Sequence, residues 1–151
     1  MLWRFKNTMF RPIFHLAFPV QNLEESKDFY VTTFGAKVGR VRDKWCDIFL
    51  FEGQITLHER PSEVLPIGEH GVRHWGAVLA WDDWEALADR LNEMRIQFKV
   101  KPNVSFVGTD AEQAKMLLSD PSGNAIEVKA YKNLSVALSI EDFQKCSPTV
   151  T

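Results

Sequence analysis

The chain contains the same succession of elements twice, and this repeat limits the folds available to it. Each copy opens on a short apolar stretch with a histidine and, two positions later, a small residue: His15 with Ala17, and His74 with Gly76. Because side chains alternate across a strand, each histidine shares a face with its small neighbour. An amphipathic helix and then three short segments rich in strand-forming residues follow each stretch. The sequence therefore predicts two βαβββ units.

Capping and turn signals set the expected bounds of these elements. In the first unit Asn22 has capping-box spacing to Glu25, and Gly35 suits a left-handed helix end. In the second unit Asp82 is the expected helix cap. A tight hairpin turn is expected at Glu52-Gly53. The strands are predicted at residues 13–20, 36–41, 45–51, 54–58, 74–81, 97–101, 114–118 and 124–130.

Together these elements predict one domain with short flanking segments. The expected organisation is a domain at 13–132 made of units 13–60 and 73–132, an N-terminal extension at 1–12 and a C-terminal tail at 133–151. The second unit is expected to carry a loop over 102–113, which is longer than a hairpin needs and is therefore a candidate lid. The tail is expected to contain a helix at 140–146.

The composition is that of a globular domain and argues against several classes of protein. A chain of 151 residues is long enough for one buried core, and its 45% hydrophobic and 25% charged residues are ordinary values. A net charge of −2 gives no reason to expect nucleic acid or an acidic membrane surface as a partner. No stretch approaches the roughly 20 apolar residues of a membrane span. Cys46 and Cys146 lie far apart, so we expect no disulfide framework and a reducing, cytoplasmic location.

The predicted strands carry side chains suited to metal binding. The first strands contribute His15 and His74, and the last strands contribute His58 and Glu127. Imidazole nitrogen together with carboxylate oxygen suits Fe²⁺, Mn²⁺, Ni²⁺ or Zn²⁺. Two histidines with one carboxylate also form the facial-triad composition, which leaves metal positions open for substrate. If the two units pair, we expect these four side chains at one pocket.

The repeated unit with these strand-borne residues resembles the vicinal-oxygen-chelate superfamily, which includes glyoxalase I, extradiol dioxygenases and bleomycin- or fosfomycin-resistance proteins. The resemblance covers roughly residues 13–132, and its most specific motif is Asp120-Pro121-Ser122-Gly123-Asn124 before Ile126-Glu127. The other motifs are Phe14-His15-Leu16-Ala17, Pro19-Val20, the 22–30 helix ending in Asp28-Phe29-Tyr30, and Phe34-Gly35. Gln54 with His58, and His74-Trp75-Gly76, are most similar to small dioxygenase-like members.

The resemblance implies an α+β fold in which two βαβββ units form a curved mixed sheet around one metal pocket, with the helices outside. It implies a mononuclear divalent metal on His15, His74 and Glu127, with Fe²⁺ expected first and Mn²⁺, Ni²⁺ or Zn²⁺ as alternatives. In the superfamily the strand that carries His58 sometimes supplies a fourth ligand. His58 is therefore either that ligand or an acid–base group, and Glu127 is both a ligand and a candidate catalytic group.

The expected function is that of a dioxygenase-like enzyme that chelates neighbouring oxygens of a small aromatic or dicarbonyl substrate. The metal would act as a Lewis acid. The first alternative is a glyoxalase-type isomerase or lyase that consumes no O₂, in which Glu127 or His58 takes a proton next to a carbonyl. The second is a metal-free drug-binding protein, against which the histidines argue. The resemblance is also compatible with a homodimer, because dimers are common in the superfamily.

Two departures from the superfamily pattern bear on the choice of reaction. Extradiol members usually carry an acid–base tyrosine on the next-to-last strand, and residues 114–118 contain none. Glyoxalase I usually has a glutamate where His58 stands. Neither named activity therefore matches the residues completely.

Several other residues have ordinary structural interpretations. His70 is expected to be a solvated residue of a glycine-rich linker, and Glu59 to be exposed on the face opposite His58. The tryptophans are expected to serve core and helix–sheet packing: Trp75, Trp81 and Trp84.

Overall fold

The computed structural model describes residues 12–135, and within them the elements follow the predicted order. The strands are β1 His15–Val20, β2 Lys37–Arg42, β3 Trp45–Leu50, β4 Gly53–Glu59, β5 His74–Leu79, β6 Phe98–Ser105, β7 Gln113–Ser119 and β8 Ala125–Tyr131. The helices are α1 Leu23–Phe34 and α2 Trp81–Glu93. The α+β architecture of two βαβββ units is therefore confirmed. The helix predicted at 140–146 and most of the N-terminal extension lie outside the described residues.

Each unit builds its own four-stranded mixed sheet. The chain divides into two units between Ile67 and Gly68, inside the predicted linker. The strand order is β1-β4-β3-β2 in the first unit and β5-β8-β7-β6 in the second. The first strand of each unit pairs in parallel with its last strand, and the other pairs are antiparallel. The two sheets thus have the same topology.

Each sheet buries one face against its helix because apolar residues alternate with polar ones along the strands. In the first unit the buried apolar side chains of this core include Val20, Leu23, Tyr30, Cys46, Ile48, Leu50, Ile55 and Leu57. In the second unit they are Trp84, Ala88, Leu91, Ala114, Met116, Leu118, Ile126, Val128 and Ala130. The expected packing role of Trp84 is confirmed: its buried indole Nε1 donates to the Val128 carbonyl oxygen at 2.9 Å, which ties α2 to β8.

Helix α1 begins and ends where the sequence predicts. The Asn22 side-chain oxygen accepts a hydrogen bond from the Glu25 backbone N–H at 2.9 Å, and Gly35 ends the helix at φ 72°. A second cap comes from Glu59, whose carboxylate accepts the Leu23 N–H at 3.0 Å. The ion pair with Lys44 and this backbone hydrogen bond lower the pKa of Glu59. The prediction that Glu59 is exposed is therefore wrong, since the N-terminus of α1 partly covers its side chain.

Helix α2 begins earlier than its predicted cap. The N-cap residue is Ala80, which makes no side-chain cap, and the helix starts at Trp81 directly after β5. Asp82, the predicted cap, instead lies in the first turn beside Asp83, where carboxylates interact favourably with the helix dipole. The Trp81 indole donates to Glu85 at 3.0 Å, which stabilises the first turn in place of a cap.

Two predicted connections are also shorter or shifted. Strand β6 extends through Pro102 to Ser105, so the predicted 102–113 loop shrinks to residues 106–112 and is too short for a large lid. Pro102 is tolerated because β6 is an edge strand with a register irregularity between Val100 and Asn103. The hairpin between β3 and β4 turns at residues 51–52, one position before the predicted turn, and both residues have positive φ.

The linker is more ordered than its composition suggests. It contains a short 3₁₀ turn at Pro61–Glu63. His70, predicted to be solvated, is buried with 8% of its surface exposed, because its imidazole packs against Gly123. No helix among residues 12–135 is long and apolar enough to cross a membrane.

The two helix starts form a matched test of capping. We expect Asn22→Ala to lower the free energy of unfolding by about 1 kcal/mol, because a cap hydrogen bond is lost. We expect Ala80→Ser to raise the free energy of unfolding by about 0.5–1 kcal/mol, because the serine hydroxyl would supply the side-chain cap that α2 lacks. Urea denaturation measures both. Equal changes of the same sign in the two variants would contradict this assignment of the caps.

Candidate metal centre

The candidate residues lie on the sheet face that the helix leaves uncovered in each unit. On this face in the first unit the register forms three cross-strand rows: His15–Gln54–Phe49, Ala17–Thr56–Asp47 and Pro19–His58–Trp45. The equivalent rows in the second unit are His74–Ala125–Ser119, Gly76–Glu127–Leu117 and Val78–Lys129–Lys115. The repeat therefore aligns the two units residue by residue.

In this alignment of the two units, His58 and Glu127 do not occupy equivalent positions. His15 and His74 occupy equivalent places at the start of β1 and β5. The counterpart of Glu127 is Thr56, since each stands beside the small residue of its first strand. His58 stands one row further along and is the counterpart of Lys129.

The second unit brings two of the predicted ligands together. The Nε2 atom of His74 lies 3.3 Å from Oε2 of Glu127. The Nδ1 atom of His74 lies 2.7 Å from the carbonyl oxygen of Val72. Because a carbonyl can only accept, Nδ1 carries the hydrogen, and in the neutral ring the Nε2 lone pair faces the carboxylate. A hydrogen bond of this kind is typical of metal-binding histidines, since it sets the tautomer and the ring orientation.

The atoms of this pair fit a divalent metal ion. Two ligand atoms that are each about 2.1 Å from one ion, at angles of 90–110°, lie about 3.0–3.4 Å apart. The 3.3 Å between the imidazole nitrogen and the carboxylate oxygen falls in this range. Two acceptor atoms facing each other need a cation between them, which is either a proton or a metal. The donors are one borderline nitrogen and one anionic oxygen, as in Fe²⁺, Mn²⁺ and Zn²⁺ sites.

A glycine allows this close arrangement. A Cβ atom placed on Gly76 would lie 1.8 Å from the backbone oxygen of Glu127, so no other residue fits unless β5 and β8 move apart. The equivalent position in the first unit holds Ala17. The backbone that carries Glu127 thus approaches β5 more closely than an alanine would permit.

An open groove of about 300 Å³ surrounds the pair. Its lining residues are His74, Trp75, Gly76, Ala77, Val78, Glu127 and Lys129. The hydrogen bond with Tyr131 raises the pKa of Lys129, with a smaller contribution from the charge of Glu127. Lys129 therefore keeps a positive charge in the groove, beside His74 and Glu127.

The first unit has a different polar cluster, centred on a residue that sequence reasoning missed. Asp47 is 1% exposed and accepts hydrogen bonds from Thr56 and from Nε of Arg40, both at 2.7 Å. Burial alone would raise the pKa of Asp47, but these two hydrogen bonds and the Arg40 charge hold it below its usual value. His15 also lowers this pKa through its charge. A lone carboxylate inside the apolar strand Trp45–Leu50 was the signal that could have revealed it.

His58 lies apart from His15 within the first unit. Gln54, opposite His15, and His58 are four residues apart on β4, which corresponds to about 13 Å. The His58 ring lies 6.4 Å from the Trp45 ring and lines a groove of about 190 Å³ together with Pro19 and Arg60. Within this sheet His58 therefore stands two rows from His15, and its use as a ligand of the same ion stays a prediction. Within residues 12–135, no three His, Cys, Asp or Glu side chains form a metal-binding group.

The glycine at the close approach generates a direct test. We expect Gly76→Ala to lower the free energy of unfolding by about 2 kcal/mol or more, because a backbone clash must be relieved. We expect faster amide hydrogen exchange in β8 around Glu127. The matched control is Ala17→Gly at the equivalent position, which should cost about 1 kcal/mol or less. Wild-type stability and exchange in the Gly76 variant would show that the strands do not approach so closely.

Comparison with known proteins agrees with the fold and the repeat. The sequence model of the Glyoxalase/Bleomycin resistance protein/Dioxygenase superfamily matches residues 13–128. A comparison with curated proteins finds no significant match.

Solved structures extend this result. A glyoxalase/bleomycin resistance protein/dioxygenase from Alicyclobacillus acidocaldarius is similar at a TM-score of 0.71 and 29% identity, over 80% of this chain and 92% of that one. The fosfomycin resistance protein FosX from Listeria monocytogenes is similar at 0.65 and 14%, over 85% and 99%. A lactoylglutathione lyase from Agrobacterium tumefaciens is similar at 0.55 and 12%, over 79% and 92%. The last two share the fold, and the family match covers most of the chain. The chain belongs to the Glyoxalase/Bleomycin resistance protein/Dioxygenase superfamily.

Proposed function

We propose that this chain is a mononuclear metal-dependent enzyme that binds a small substrate through two neighbouring oxygens. The observation that carries the proposal is the His74–Glu127 pair, with Nε2 and Oε2 3.3 Å apart and Nδ1 of the histidine 2.7 Å from the Val72 carbonyl oxygen. Superfamily membership supports it, because the superfamily includes glyoxalases and dioxygenases. A purely structural ion pair would need neither an open groove nor the close approach at Gly76.

The proposed metal ligands are His74, Glu127 and His15. His15 is included because it is the counterpart of His74 at the start of the equivalent strand. We propose Fe²⁺ as the ion, with Mn²⁺, Ni²⁺ or Zn²⁺ as alternatives for a nitrogen and oxygen donor set. When bound, a divalent cation supplies Lewis acidity, which lowers the pKa of a substrate hydroxyl or polarises a carbonyl.

The residues of the groove have separate proposed roles. The Val72 carbonyl holds the His74 ring so that its Nε2 lone pair stays available. Glu127 supplies negative charge that offsets a cation, and we propose that it also accepts a proton from the substrate. Lys129 remains protonated at neutral pH and attracts substrates with an anionic oxygen.

We propose His58 as an acid–base group rather than a fourth ligand. Its row in the sheet differs from that of His15, and it lies beside Trp45 in its own groove. An imidazole titrates near neutral pH and can both donate and accept protons. This role separates His58 from the metal-binding function of the other two histidines.

The proposed reaction is dioxygenase-like, and a glyoxalase-type isomerase or lyase is the second candidate. The second candidate is retained because the uncovered face of β7 presents Leu117 and Lys115, and this strand contains no tyrosine to serve as an acid–base group. We propose a small aromatic or dicarbonyl compound as substrate, a homodimer as the assembly and the cytoplasm as the compartment. The buried, unpaired thiol of Cys46 is consistent with a reducing compartment.

Metal content tests the ligand assignment. Tag-free protein should take up about one divalent ion per chain, and His74→Ala and Glu127→Gln should each weaken its affinity by about 100-fold or more, because each loses a ligand. His58→Gln is the matched control and should retain the wild-type affinity. Titration calorimetry and elemental analysis provide the measurement. Wild-type affinity in the His74 and Glu127 variants would refute the ligand set, and protein that takes up no ion would refute the metal-dependent function.

Oxygen consumption separates the two reactions. Protein loaded anaerobically with Fe²⁺ is mixed with aerated buffer and a panel of catechols or dicarbonyl compounds. A dioxygenase should consume O₂ in proportion to product, and His58→Gln should lower the turnover rate by about 100-fold while metal content is kept. Product formation at constant O₂ would favour the isomerase or lyase.

A further inference from the structure

His70 connects the two turns that carry the proposed metal ligands of the second unit. It precedes β5, on which His74 lies, and it packs against Gly123, which precedes β8 and Glu127. The residue is 8% exposed. Nothing in the predicted site or in the proposed function uses this histidine.

The turn before His74 is closed by the backbone of His70. The Arg73 N–H donates to the His70 carbonyl oxygen at 3.2 Å, and the Arg73 guanidinium approaches the same oxygen at 3.4 Å. Gly71 has φ 58°, a conformation that glycine adopts readily. Within this turn lies Val72, whose carbonyl accepts the Nδ1 hydrogen of His74. The orientation of that carbonyl therefore depends on how the turn is held.

The turn before β8 is held by its own aspartate. The Asp120 side chain accepts the N–H groups of Ser122 at 2.8 Å and Asn124 at 2.9 Å. Gly123 has φ 85°, and a Cβ atom placed on it would lie 3.0 Å from Nε2 of His70. The imidazole thus packs against the backbone of this turn at Gly123, and this contact joins the turn before β5 to the turn before β8.

We propose that His70 is a positioning residue for His74. Its buried imidazole docks the turn of residues 70–73 onto Gly123, and this contact orients the Val72 carbonyl that selects the Nδ1–H tautomer of His74. The effect on the tautomer follows from the second unit alone. The effect on metal affinity rests on the proposed function.

The tautomer of His74 in metal-free protein provides a readout that a merely structural role would not change. At about pH 8.5, well above the ordinary imidazole pKa of about 6.5, ¹⁵N NMR distinguishes the two neutral tautomers. In wild-type protein we expect predominantly the Nδ1–H form. In His70→Ala we expect the Nε2–H fraction to increase at least twofold, and the dissociation constant for Mn²⁺ or Zn²⁺ to increase about 10-fold.

A second variant reaches the same contact from the other side. Gly123→Ala places a methyl group against the His70 ring and should shift the tautomer in the same direction, so the test does not depend on the folding of one variant. His58→Gln, which changes a histidine of the first unit, is the control and should leave the His74 signals unchanged. Retained sheet signals in the NMR spectrum show that each variant is folded.

The possible outcomes separate this inference from the proposed function. Folded His70 and Gly123 variants with a wild-type His74 tautomer would overturn the inference, even if their thermal stability falls. A tautomer shift in protein that binds no metal would support the positioning role and refute the metal-dependent function. A shift together with weakened metal binding would support both.

Discussion

The parallel pairing between the first and last strands of each unit is the constraint on which the candidate site depends. This pairing places the last strand of each unit directly beside its first strand. Residues that are far apart in sequence therefore become neighbours. In the second unit the register sets Glu127 opposite Gly76 and one row from His74. A shift of one residue would turn Glu127 to the helix-covered face, since side chains alternate across a strand. The missing side chain at Gly76 permits the close approach of the β5 and β8 backbones. The His74–Glu127 pair therefore depends on this glycine as well as on its own two side chains.

The two units share this scaffold but differ in where they place negative charge. In the second unit the carboxylate stands on the last strand as Glu127, whereas the first unit has Thr56 at that position and Asp47 on the neighbouring strand. Asp47 accepts hydrogen bonds from Arg40 and Thr56, while Oε2 of Glu127 lies 3.3 Å from Nε2 of His74. A buried carboxylate with hydrogen-bond donors and a positive charge beside it is held in its ionised form, whereas a carboxylate beside an imidazole nitrogen has donor atoms that suit a cation. The two units therefore share one strand topology and differ in the chemistry of the residues on it.

Much of the fold was readable from the sequence because its signals are local. Asn22 and Gly35 act through hydrogen bonds and backbone conformation within one turn, and both predicted roles agree with the structure. The predictions failed where a contact with a residue distant in the sequence, rather than a local signal, determined the structure. The Trp84 indole anchors α2 to Val128, and the helix begins before the aspartate that would have capped it. Pro102 stays in a strand because an edge position does not need its missing N–H. His70 and Glu59 are covered by partners that are about 50 and 36 residues away, respectively, which no local pattern reveals.

The sequence by itself determined the repeated βαβββ order, the family resemblance and the residue types suited to metal binding, because periodicity, capping and turn chemistry are properties of short segments. The tertiary structure alone decided which of these residues meet. The strand register brings His74 to Glu127, sets His58 in a different row from His15, and reveals Asp47 as the carboxylate of the first unit. It also places His70 on Gly123. Register and packing are set by the summed burial and hydrogen bonding of whole sheets, so they cannot be derived from any one segment.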